Sequence, residues 1–113
     1  MSQELEDRFF NFAKRVRDFC TRLNFNVINR EYISQLVRAS GSIAANYIEA
    51  SDSLGKNDER MKLRISRREA KESVLWLKLL LTDDKSLEEE RLLLIDEAIQ
   101  IKKILSNIIL KVS

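Results

Sequence analysis

The sequence predicts an all-α domain, an antiparallel up-down-up-down four-helix bundle, on three observations. Apolar residues recur at alternating steps of four and three, helix breakers are almost absent, and those present cluster in short polar stretches between periodic segments. The chain has two glycines and no proline among 113 residues, and 44% of its residues are apolar. That length suits one domain with its own core and is too short for two independent ones.

The first helix is predicted over residues 3–23, where Leu5, Phe9, Phe12, Val16, Phe19 and Leu23 form a regular bundle seam. Residues 24–29 are a polar connection. In the second helix Ile33, Leu36, Val37, Ser40, Ile43, Ala44 and Tyr47 share one side, and the helix ends near residue 53. Residues 52–58 combine Gly55 with side chains that bond local backbone, and Asn57 or Asp58 is the expected cap of the third helix, which runs to about residue 81. Ser86 and Glu89 stand at capping-box spacing and place the start of the fourth helix. Its seam is Leu94, Ala98, Ile101, Leu105, Ile108 and Val112, while Ile95, Ile99, Ile104 and Ile109 widen the apolar arc beyond one seam. Connections this short join antiparallel neighbours, and the surplus apolar surface points to a partner.

Composition removes several chemistries. Histidine is absent and Cys20 is the single cysteine, which excludes Cys/His zinc sites, iron–sulfur sites and Cys-His nucleophile pairs. Cys20 falls in an apolar helix row and reads as an inert thiol. No stretch approaches the ~20 apolar residues of a membrane span, and the acidic start of the chain lacks a long apolar core, so a cytoplasmic protein with no membrane partner is expected. Charged residues make up 34% and nearly cancel at +2, so any attraction to polyanions must come from uneven placement.

Placement is uneven on the third helix. Arg60, Arg64, Arg67, Arg68, Lys71 and Lys78 project into one arc with no acidic residue, along about 27 Å at 1.5 Å per residue. Such a stripe can follow a phosphate backbone, arginines offering paired donors to phosphate oxygens. The competing expectation is a solvated face, or ion pairs with the acidic start of helix four at Asp83, Asp84, Glu88, Glu89 and Glu90. The same helix carries Met61, Ile65, Trp76, Leu79 and Leu80 on a face shared with Glu69 and Glu72. Leu63, Ala70, Val74, Leu77 and Leu81 form a second apolar side. Two apolar sides imply two neighbours, with Trp76 a candidate anchor of a subunit contact.

On the second helix, Ala39, Ser40, Gly41, Ser42, Ala44 and Ala45 crowd small side chains together, which favours close approach of another helix. Beside them Ser42, Asn46 and Glu49 lie on a polar ribbon with Gln35 and Ser53, a solvated face unless a neighbour supplies hydrogen-bond partners. Ser42, Asn46, Glu49, Glu69, Glu72 and Trp76 are therefore the candidate oligomer or helix-packing contacts. A magnesium, calcium or manganese site built on Glu49, Glu69 and Glu72 is the enzymatic alternative, but Lys62 and Arg68 more simply neutralise those carboxylates. No cofactor and no catalytic residue is assigned.

The run Arg38, Ala39, Ser40, Gly41, Ser42, Ile43, Ala44, Ala45, Asn46, followed by Glu49 and Ala50, resembles the motif of the bacterial 23S rRNA intervening-sequence protein family. Lys62, Ile65, Arg68, Glu69, Ala70, Glu72, Trp76 and Leu77 are similar to its continuation, so the resemblance is clearest over residues 38–81. Asp58 and Glu59 depart from the Asp-Phe that often opens the family's third helix. The resemblance implies a four-helix bundle that assembles into a ring, characteristically a homopentamer, without catalytic activity. It also implies kinship with the accessory variability determinant of diversity-generating retroelements, a basic pentameric ring that partners a reverse transcriptase and contacts nucleic acid. A non-enzymatic ring whose arginine stripe docks RNA, DNA or a reverse transcriptase is the leading expectation; a scaffold oligomer that binds only protein is the alternative.

Overall fold

Each helix begins where a side chain or a backbone turn can satisfy its free amides, and those starts set the four elements of the computed structural model, which describes residues 1–112. Helix α1 spans Gln3–Arg22, capped by Ser2, whose hydroxyl accepts from the Leu5 amide at 3.0 Å. Helix α2 spans Val27–Ser51, capped by Asn26, which accepts from the Asn29 amide at 2.8 Å. Helix α3 spans Lys56–Leu79 and helix α4 spans Lys85–Val112. No strand occurs among the described residues.

Two predicted caps are corrected. Neither Asn57 nor Asp58 caps α3: Gly55 holds the N-cap with φ 145°, in the region that favours glycine, while the Asp58 carboxylate reaches back to the Leu54 amide at 3.1 Å. For α4 the cap is Asp84 and not Ser86, since the Asp84 carboxylate accepts from the Leu87 amide at 3.1 Å and its carbonyl from the Glu88 amide at 3.0 Å. Ser86 instead accepts from Arg22 at 3.0 Å. Helix α2 also takes in the last three residues of the predicted connection, beginning at Val27, because Asn26 supplies a cap within it.

Neighbouring helices run antiparallel, as the cross-helix pairs show. Between α2 and α3, Asn29 meets Leu81, Ile43 meets Ser66, and Glu49 meets Lys62. Between α3 and α4, Arg60 meets Val112, Arg67 meets Ser106, and Leu77 meets Arg91. Helix α4 closes back on α1 through Arg8 with Glu97 and Arg15 with Glu90. Tyr47 of α2 sits edge-on to Phe9 of α1, ring centroids 4.9 Å apart, and its hydroxyl accepts from the Ser2 amide. The bundle measures 46 × 22 × 18 Å.

The predicted seams fill the core: Phe9, Phe12, Val16, Phe19 and Leu23 from α1 and its end, and Leu94, Ala98, Ile101 and Leu105 from α4. In the last turn of α4 Ile109 is buried, while Ile108 is half-buried. At the end of α3 Leu80 is buried and Leu81 exposed, because the helix stops at Leu79 and the chain turns extended at Leu80. The buried row of α3 is Leu63, Ser66, Ala70, Ser73, Leu77, a seven-residue repeat with two serines in it. Those small residues answer Ala39, Ser40 and Ala44 on α2. The Ser66 hydroxyl donates to the Ile43 carbonyl at 2.8 Å, a bond that demands close approach of the two backbones. The close packing predicted for α2 is therefore met within the chain by α3. Gly41 takes no part in it: it is exposed, and a Cβ there would meet nothing within 4 Å.

Candidate functional site

The polar and charged side chains of α3 separate onto two flanks. Lys62, Glu69 and Trp76, at seven-residue spacing, lie on the flank toward α2. Lys62 pairs with Glu49 at 3.7 Å, and the Trp76 ring stacks on Tyr32 with centroids 6.1 Å apart. Trp76 and Glu49 are thus helix-packing contacts inside the chain. Asn46 turns back on its own helix, donating to the carbonyl and hydroxyl of Ser42, both at 2.9 Å. Burial pushes the Glu69 carboxyl above the usual carboxylate range, Glu72 adds to that push, and Arg68 opposes it. No cluster of three side chains able to hold a metal forms among the described residues, and Glu49 is drawn to Lys62.

On the other flank, an open groove of about 810 Å³ lies between α3 and α4. Arg60, Arg64, Arg67, Arg68 and Lys71 line it from α3, and Lys102 and Ser106 from α4; Asn57, Met61 and Ile65 complete the lining. Among the described residues, six cations and no carboxylate face this space. Lys78 lies beyond it, exposed near the end of α3.

The acidic start of α4 does not neutralise the stripe. Glu90 pairs with Arg15 and Glu88 with Arg91, and among the described residues none of the six stripe cations is in an ion pair. Arg67 donates weakly to Ser106 at 3.5 Å. The Arg60 guanidinium reaches Asn57 and the Val112 carbonyl, both at 3.4 Å, and its Nε is buried without a partner among the described residues. With so few internal acceptors, the groove keeps most of its donors for an anion.

Lys102 and Ser106 are not predicted from the sequence, because they enter only through the register of α4 on α3. The pairing of Arg67 with Ser106 puts residue 102 level with residue 71. The only local signal was the pair Lys102 and Lys103 among the isoleucines of the second half of α4.

Comparison with known proteins agrees with this architecture. A crystal structure of a protein of unknown function from the S23 ribosomal protein family of Bacteroides thetaiotaomicron is similar to this chain at 27% identity and a TM-score of 0.77. The likeness covers 92% of this chain and 96% of that one. No curated protein matches. The model of the 23S rRNA-intervening sequence protein family matches residues 3–107, from the first turn of α1 almost to the end of α4, and the chain belongs to that family.

Proposed function

We propose that this protein is a non-enzymatic, self-associating helical bundle that binds nucleic acid along the groove between α3 and α4. The observation that carries the reading is a groove that the described residues line with six cations and no carboxylate. Phosphodiester backbones are the polyanions such a row fits, and affinity gained this way comes from release of condensed counterions. Five chains in a ring is the assembly the family resemblance implies, and a reverse-transcriptase-like protein carrying nucleic acid is the protein partner that goes with it.

The test is charge reversal inside the groove. Arg64 is exposed, and Arg67 makes only its long contact with Ser106, so Arg64→Glu/Arg67→Glu leaves the fold intact by circular dichroism. Affinity for a labelled nucleic acid at low salt is expected to fall by about tenfold or more. Unchanged affinity, or no binding by the unaltered chain, contradicts the reading.

A second reading is a scaffold oligomer that binds only protein. Exposed apolar side chains favour it: Val37 and Ile48 on α2, and Leu92, Leu93 and Leu110 on α4. It predicts self-association that is indifferent to nucleic acid.

A further inference from the structure

Resting on the nucleic-acid reading, we propose that the groove grips the sugar-phosphate backbone of a double helix, blind to base sequence, in preference to a single strand.

What the lining lacks sets the preference. Proteins that hold single strands stack the bases on aromatic rings. None of the eight aromatic residues reaches this groove. Trp76 and Tyr32 stack on each other on the opposite flank of α3, and Phe9 and Tyr47 are in the core. Phe10 lies on α1 beneath Lys14. The apolar lining consists of Met61 and Ile65, which are aliphatic and offer no flat face to a base. Arginine planes can also stack, but Arg60 makes long contacts with Asn57 and Val112 and Arg67 with Ser106, which leaves Arg64 and Arg68 as the groove arginines with planes to offer a base.

What remains is charge on a straight, rigid row. From Arg60 to Lys71 the cations follow about 16 Å of helix axis, and Lys102 stands across the groove from them. A site that binds through charge alone favours the partner with the denser charge. A duplex carries about one phosphate per 1.7 Å of its axis, twice the density of either strand. Its backbone is also already ordered, whereas a flexible strand loses freedom on lying along a straight groove.

Sequence blindness follows from the same lining. Base edges are read by amides, carboxylates and paired arginine donors set into a groove of the helix. The one amide is Asn57, whose carbonyl oxygen accepts from Arg60, and the Ser106 hydroxyl accepts from Arg67. Arg64, Arg68 and Lys71 stand exposed in a row along one side of the groove, where a phosphate ridge is the first part of a duplex they meet, and phosphate contacts carry no sequence information.

The experiment is fluorescence anisotropy of the full chain with labelled duplexes of about 24 base pairs and their separated strands, at about 50 and 200 mM salt. Two unrelated sequences are compared, each as DNA and as RNA. The duplex is expected to bind about tenfold more tightly than either strand, with the two sequences and the two sugars within about threefold. Lys102→Glu is expected to weaken duplex binding by about threefold or more. Strands bound as tightly as the duplex, or a large difference between sequences, overturn this proposal and leave the nucleic-acid reading standing. Unchanged duplex affinity in Lys102→Glu also overturns it, by placing the duplex outside the groove. No binding to any probe removes the reading and this proposal together.

Discussion

Asn29 shows how a single side chain fixes a connection. It is fully buried, donates to the Asn24 and Leu81 carbonyls at 3.0 and 2.9 Å, and accepts from the Leu81 amide at 2.9 Å. The α1–α2 turn is thereby pinned to the end of α3. Asn29→Ala leaves those backbone groups unpaired and is expected to cost about 3 kcal/mol in urea unfolding. Two carboxyls respond to acid in opposite senses. Hydrogen bonds from Arg91 and then Thr82 hold Glu88 down to about 2, so its contribution is present above the ordinary carboxylate range and is lost as pH falls toward that value. Glu69, raised chiefly by burial, favours the fold when protonated, and that contribution is lost as pH rises through its folded value. Glu88→Gln should therefore lower the melting temperature near about pH 7, whereas Glu69→Gln should raise it, and the Glu69→Gln difference should vanish below about pH 4. Burial also pushes the Cys20 thiol up to about 11, so it should resist alkylation until the chain is unfolded.

At the scale of helices, the tight pair is α2 with α3, and its small residues divide into two groups with different roles. Ala39, Ser40 and Ala44 are buried. Gly41 looks outward over open space, so Gly41→Ala is expected to stabilise the chain by about 0.5–1 kcal/mol in chemical denaturation. A loss of stability would place a neighbouring chain against that turn. The seams of α1 and α4 were legible because four-three spacing of large apolar residues has one helical solution. Ser66 and Ser73 were not, since a serine at a core position differs from a solvated one only by what faces it, here the Ile43 carbonyl for Ser66. The start of α4 was misread because Asp84 and Ser86 are both capable caps, and the Asp84 carboxylate holds the Leu87 amide. For the groove, the five α3 cations were legible from helical projection alone. Lys102 required the register between two helices, as did the pairing of Trp76 with Tyr32.

For the whole molecule, a net charge of +2 conceals a separation in which carboxylates pair along α1 and α4 while, among the described residues, no cation lining the α3–α4 groove is in an ion pair. Exposed leucines on α4, among them Leu110 at 75% exposure, give self-association an apolar surface to use. Light scattering at micromolar concentration should return several times the 13.2 kDa chain mass, and a single-chain mass would end both oligomeric readings. No helix among the described residues is long and apolar enough to cross a membrane. The central claim is electrostatic, and the most direct measurement is the affinity of the unaltered chain for a nucleic-acid duplex across a salt series. If the six groove cations displace counterions, the logarithm of affinity should fall linearly with the logarithm of salt, with a slope of about −5 when all six engage. A flat dependence, or no binding at the lowest salt, would contradict the account and leave the groove a solvated face.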